Sequence, residues 1–240
     1  MLRNGSLMSF GVLVCLAATP LKAADMSARG LVKAQARAVL ASELGAVVTQ
    51  TPKRVGDSFK KGDTLVSFDC RLFKSQKDKV SAEAKAAKAR WANAQDLEKM
   101  RSIGKLEVTI AKAEYDKARA EVKIADLNVK RCTVAAPYDG TVVNLLVNRF
   151  ESIDIRRSLI EIVSASHLEV DIIAPAAWLS KIAKGELKTM HIDELDAAAQ
   201  IEILGISGAI DPVSQTVLIR AKVLDQLPGL LPGMSGAVGL

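Results

Sequence analysis

The chain has 240 residues, of which 49% are hydrophobic but only 4% aromatic, with a net charge of +6, two His and three Cys. That length admits one or two domains with thin, aliphatic cores. The positive charge is spread along the chain without interleaved stacking aromatics, which argues against a nucleic-acid partner; two His and no Gly-rich phosphate loop argue against an enzyme.

Residues 1–23 have the form of a secretory signal. Arg3 precedes an apolar run from Leu7 to Ala18, and Pro20-Leu21-Lys22-Ala23-Ala24 supplies a small-residue exit, with cleavage expected after Ala23. The run is short for a bilayer span, although an uncleaved N-terminal anchor is the rival. Cys15 lies inside it, and Val14 before it suits lipoprotein processing poorly. Export into an oxidising compartment leaves Cys70 and Cys132 as a candidate disulfide, the alternative being two buried thiols.

Residues 24–35 read as irregular or as an entering strand. From Ala36 to Asp69 short extended runs alternate with turns: Val39-Leu40-Ala41, Gly45-Ala46-Val47-Val48, a turn at Lys53–Asp57, a second at Lys60–Asp63, then Leu65–Phe68.

Residues 70–130 change period. Phe73, Val80, Ala84, Ala87, Trp91 and Ala94 recur at helical spacing, and so do Val108, Ala111, Tyr115, Ala118, Val122, Ala125 and Val129. Two such stripes among Lys, Glu, Arg and Asp predict an antiparallel coiled-coil hairpin. One constant register sets Phe73 against Val129, Val80 against Val122, Ala87 against Tyr115, Trp91 against Ala111, and Cys70 against Cys132, with Lys77 opposite Ala125 as the polar seam position. Arms of about 28 residues would be roughly 40 Å long. The tip comprises Met100, Arg101, Ser102, Ile103, Gly104, Lys105, Leu106 and Glu107.

After the hairpin the earlier pattern returns over 131–164. Gly140-Thr141-Val142-Val143 repeats Gly45-Ala46-Val47-Val48, and Ser158–Ile162 repeats Thr64–Phe68. Neither half is long enough to bury its own apolar face, so the two are expected to pack together. Phe150 and Arg156 stand where the first copy has Gly56 and Gly62, which predicts reshaped turns or a Phe150 recruited to an interface.

Thr133-Val134-Ala135-Ala136-Pro137-Tyr138-Asp139-Gly140-Thr141-Val142 resembles the T-x-x-A-P-F-D-G-x-V signature of periplasmic adaptor proteins, also called membrane fusion proteins. Val55–Leu65 resembles the family's first half-motif. Gly208–Thr216, Ile219-Arg220-Ala221 and Leu231-Pro232-Gly233-Met234 resemble its barrel pattern. The resemblance implies a mainly β chain: a lipoyl-like barrel-sandwich hybrid split into 36–69 and 131–164, an α-helical hairpin at 70–130, and a β-barrel over 165–240. Strands are expected at Leu168–Ile173, Ala198–Leu204, Thr216–Val223 and Gly236–Leu240, with a short helix over Pro175–Ala183. Because the sequence stops soon after Pro-Gly-Met, the membrane-proximal domain of many members is expected to be absent.

The same resemblance implies a periplasmic subunit, peripheral to the inner membrane, that links an inner-membrane transporter of RND or ABC type to an outer-membrane channel in efflux. It implies self-association into a ring, often of six protomers. The tip residues Met100 to Glu107 would meet the channel; Asp211, Gln215, Pro232, Gly233 and Met234 on the barrel would meet the transporter or a neighbouring protomer. Two departures stand out. Arg90, Leu97 and Ser102 lack the Arg–Leu–Ser spacing many members carry at the tip, and Gln215 stands where Arg is common. These departures keep a second reading open: a structural or regulatory module that binds an inner-membrane protein without forming a conduit.

No cofactor is implied. Lys74, Lys77 and Lys79 are helix-surface charges rather than a swinging-arm site for lipoate or biotin. His167, Met190, His191 and Met26 lack ligand spacing and read as a strand-end His and a surface Met-His pair. Asp211-Pro212 reads as turn chemistry.

Overall fold

In the computed structural model, residues 27–164, 167–225 and 227–239 are described; the expected signal segment and Met26 lie outside them. The elements run β1 (Ser27–Ala34), β2 (Arg37–Ala41), β3 (Ala46–Gln50), β4 (Ser58–Phe59), β5 (Thr64–Phe68), α1 (Arg71–Lys99), α2 (Lys105–Lys130), β6 (Thr133–Ala135), β7 (Gly140–Leu145), β8 (Ser152–Ile153), β9 (Ser158–Ser164), β10 (Leu168–Pro175), β11 (Leu187–Ile192), β12 (Ala197–Asp211), β13 (Thr216–Val223) and β14 (Ser235–Gly239).

Two four-stranded sheets, β2-β9-β7-β4 and β6-β5-β3-β8, share one apolar core built from Val48, Leu65, Phe68, Val142, Ile160 and Ile162 among others. The repeat explains this arrangement, because each half lends a two-residue strand to the other. β4 of the first half pairs with β7 of the second, and β8 of the second pairs with β3 of the first. The turn hydrogen bonds repeat too. Gly56 N–H donates to Val142 and Val142 N–H to Asp57, as Phe150 N–H donates to Val48 and Val48 N–H to Glu151. Asp57 caps the first turn through Arg54 N–H, and Glu151 caps the second through Asn148 N–H.

The expectation of reshaped turns is therefore not met. Gly56 and Gly62 have φ of 87° and 90°, and Phe150 and Arg156 hold the same left-handed backbone at 71° and 70°. Surrounding hydrogen bonds impose that conformation on side chains that disfavour it.

The adaptor-like signature has a physical basis here. Tyr138 Oη donates to the Ile162 carbonyl, and the Asp139 carboxylate accepts from Lys61 N–H, fastening the Lys60–Asp63 turn. A Cβ at Gly140 would collide with the Val163 carbonyl oxygen, so only glycine lets β7 start against β9.

The two helices inserted between β5 and β6 pack against each other. On both predicted stripes every residue is buried or partly buried, and Val80, Ala87, Ala94 and Ala125 are the most enclosed. Lys77 forms an ion pair with Asp126, and Cys70 is disulfide-bonded to Cys132 with Cα atoms 5.8 Å apart. Trp91 stacks on Tyr115 at 5.6 Å, one turn from the Ala111 that the sequence register set opposite it. The large rings reach diagonally across a seam of small residues.

The remaining strands close an antiparallel barrel in the order β1-β10-β13-β12-β11-β14. Its core is formed by Val32, Val170, Ile172, Met190, Ile192, Ile201, Ile203 and Ile219 among others. The barrel differs from the expected 165–240 in taking β1, from before the two-sheet unit, as a wall. Of the inward residues of β1, Ala28 and Gly30 are small and only Val32 is large, so its pattern is faint. β11 was also not anticipated: its Met190 is fully buried in the core rather than on the surface, while His191 points outward to Asp196. The expected helix over Pro175–Ala183 is a shorter 3₁₀ helix, Ala176–Lys181, whose Trp178 and Leu179 cover the core edge.

Candidate interaction surfaces

The helix pair ends in a tight connection. Arg101 N–H donates to Glu98, Ser102 N–H donates to Leu97, and Arg101 itself adopts φ 59°. α2 starts from Gly104 in an extended conformation without a side-chain cap. Met100, Arg101, Ser102, Gly104, Lys105, Leu106 and Glu107 are exposed and Ile103 is partly covered. The tip thus offers two large apolar side chains, Met100 and Leu106, among Arg101, Lys105 and Glu107. At about 1.5 Å per residue, the 29-residue α1 carries this cluster roughly 43 Å from its base.

The barrel residues singled out in the sequence fall at opposite ends. Short connections join barrel and two-sheet unit next to Ala34 and Leu168, which pair with each other. At that near end Gly233 N–H donates to Val32 and Val32 N–H to Met234, so the Pro232-Gly233-Met234 turn is stitched onto β1. Pro232 and Leu231 also wall a mainly apolar cleft of about 540 Å³, facing Arg37, Val55 and Val143 of the two-sheet unit. Asp211 and Gln215 sit at the far end, where Asp211 pairs with Thr216 and Pro175 with Thr216. The eight residues of β10 separate the two turns by roughly 23 Å at 3.3 Å per step.

Asp211 is occupied within its own turn. Its Oδ1 accepts from Val213 N–H and Ser214 N–H, each at 2.9 Å, and from Ser214 Oγ at 3.0 Å. The Ser214 and Val213 bonds hold its carboxyl below the usual range. Gln215, at φ 53°, donates its N–H to the Asp211 carbonyl and accepts from Ala176 N–H, which ties the turn to the 3₁₀ helix. The side chain left projecting is Val213, 93% exposed.

Two further features lie outside these residues, and only the first was marked in the sequence. Phe150 is 71% exposed with the Arg149 guanidinium 4.5 Å over its ring, while Arg149 Nε donates to the Thr49 carbonyl. The signal was the missing glycine. On the barrel wall the buried Asp171 carboxylate lies between Lys33 and Arg220; burial pushes its pKa up, but these two cations more than offset that and hold it low. The three residues come from β1, β10 and β13, and only the barrel register unites them.

Among the described residues, no group of three or more His, Cys, Asp and Glu is placed to hold a metal ion, and no helix is long and apolar enough to cross a membrane.

No family model matches the chain. The nodulation protein NolF of Rhizobium meliloti is 24% identical over 218 residues, 85% of this chain. This chain spans 50% and 59% of the length of the two curated relatives it matches. Among solved structures, a MacA–MexA chimera carrying the Pseudomonas aeruginosa MexA α-hairpin domain superposes with a TM-score of 0.77 at 18% identity, covering 88% of this chain and 78% of its own. A membrane fusion protein of Streptococcus pneumoniae superposes at 0.73 and 17% identity, covering 88% and 96%. With its paired helices between two halves of a repeat and a barrel after them, the chain has the fold of the membrane fusion, or periplasmic adaptor, proteins.

Proposed function

We propose that this chain is a periplasmic adaptor subunit that links an inner-membrane transporter to an outer-membrane channel in an efflux system. The observation that carries the reading is the placement of its two outlets. The helix pair leaves the two-sheet unit from β5 and β6 of one sheet, and the barrel leaves it from β2 and β9 of the other. In this reading residues 36–69 and 131–164 form the lipoyl-like hybrid, 70–130 the coiled-coil hairpin, and 165–240 with β1 the barrel. Met100 to Glu107 meet the distal partner, with Met100 and Leu106 as the apolar contacts. The barrel end bearing Asp211 and Gln215 faces the inner membrane and its transporter. The turn at Pro232, Gly233 and Met234 sets the angle between barrel and two-sheet unit rather than meeting a partner directly. Several copies side by side, six by the family's habit, enclose a path, and residues 1–23 direct export.

The test is affinity purification of the tagged full chain after mild crosslinking in cells. Recovery of an inner-membrane transporter together with an outer-membrane channel supports the reading. Recovery of neither contradicts it, and recovery of an inner-membrane protein alone moves the assignment to a regulatory module.

A further inference from the structure

The seam that joins α1 to α2 uses one stripe of each helix, and each helix carries a second. On α2, Ile110, Ala113, Lys117, Ala120, Ile124 and Leu127 recur at spacings of three and four, and every one is exposed. On α1, Leu72, Ser75, Lys79, Ala82, Ala86 and Ala89 recur in the same way and are exposed too. A pair that only had to hold itself together needs one apolar stripe per helix. Here Leu72, Ile110, Ile124 and Leu127 are each more than half exposed at positions that the heptad repeats.

Size and charge say what covers these stripes. The α2 stripe is large where the α1 stripe is small, so the two are matched as knobs and holes. Setting α2 of one copy antiparallel to α1 of a second puts Leu127 on Leu72, Ile124 on Ser75, Ala113 on Ala86 and Ile110 on Ala89, all in one constant register. The same register brings Asp116 to Lys85, Lys123 to Asp78 and Glu107 to Arg90 along the flanks. Its like-charged pairs are Glu114 with Glu83 and Lys130 with Arg71, and the last two are already paired with Asp126 and Asp69. Two α2 helices face to face would oppose the row Glu107, Glu114 and Glu121 with itself. Two α1 helices would have Leu72 as their one large apolar residue. The contact is therefore between unlike faces, and such a head-to-tail contact builds a ring or a filament.

The angle between the stripes decides which. At 3.6 residues per turn, the inner and outer stripes of each helix are centred about 150° apart. On both helices the outer stripe leans toward the same broad face, where Lys79 and Glu83 of α1 meet Glu121 and Ile124 of α2 across a shallow groove. Two bends of the same sense close, and helices meeting at about 150° close at about twelve, or six copies. We infer that α2 of each copy packs on α1 of the next, so that the helix pairs form a closed wall with a second antiparallel seam between copies. This inference rests on the side-by-side arrangement proposed above and names the surface that carries it.

The test is disulfide crosslinking of the full chain in cells, under a mild oxidant, in the double variant A89C/I110C. The two positions lie on opposite outer edges of one helix pair, so a bond between them joins two copies. The expected result is a ladder of covalent oligomers. It should be absent from each single variant and from A89C/L127C, whose positions the register separates by roughly 25 Å. A ladder from A89C/L127C as well would show unspecific collision, a dimer from I110C alone would show α2 against α2, and bonds only to another polypeptide would show a foreign partner. Each of these overturns the inference. No ladder with an inner-membrane transporter still co-purifying removes the seam and leaves the adaptor reading standing; loss of the transporter as well removes both.

Discussion

Breaking the Cys70–Cys132 bond probes how the helix pair is held. The bond closes a sequence separation of 62 residues that contains all of α1 and α2. In the loop-entropy model this length corresponds to about 4 kcal/mol, a large part of the roughly 5–15 kcal/mol typical of a folded domain. The pair has a thin core of its own: its fully enclosed side chains are Val80 and three Ala, and near the base only Phe73 and the Lys77–Asp126 ion pair add to them. The double variant C70A/C132A should lower the urea midpoint by an amount equivalent to about 4 kcal/mol. Alanine is the right replacement because Cys132 is buried and a serine hydroxyl would add its own desolvation cost. Hydrogen exchange should localise the effect, with amides at the helix base, 71–80 and 122–130, losing protection while the barrel amides keep theirs. An unchanged midpoint and unchanged protection would refute the reasoning and assign the base to packing of Phe73 and the ion pair of Lys77 with Asp126.

Further outcomes follow from single contacts. Arg156→Gly should raise stability by about 0.5–1 kcal/mol in thermal unfolding, since glycine adopts the observed φ of 70° freely and the side chain is exposed. Gly140→Ala should cost about 2–4 kcal/mol in the same measurement, because β7 must move off the Val163 carbonyl. Asp171→Asn should cost about 1–3 kcal/mol at neutral pH by removing the charge that Lys33 and Arg220 share and putting an N–H donor in place of one of its two acceptor oxygens. Because the native Asp171 pKa is lowered, its stabilisation is complete above the unfolded value of about 4 and is lost as pH falls through the native one. Denaturation midpoints below pH 4 should therefore converge for parent and variant.

The helix pair was legible because its stripes are long and strictly periodic, and every residue of both turned out covered. The two-sheet core was legible through the repeat, whose turns survive even where Phe150 and Arg156 replace glycine. Sequence alone left those turns open, because backbone shape there is set by bonds to the other half, Phe150 to Val48 and Arg156 to Ser42. β1 was left between irregular chain and an entering strand, because Ala28 and Gly30 are small and Val32 is its one large inward residue, and β11 was missed because it hides Met190 beside a polar His191 that made the pair look like surface. The separation of Asp211 from Pro232-Gly233-Met234 was illegible because strand direction, not sequence distance, places turns on a barrel.

The central claim is that the helix tip meets a partner across the envelope. A photoreactive residue at Ile103 of the full chain, crosslinked in cells and identified by mass spectrometry, tests it most directly. The account predicts a crosslink to an outer-membrane channel. Crosslinks only to the chain itself or to inner-membrane proteins, with a control position on the barrel reacting normally, would contradict it.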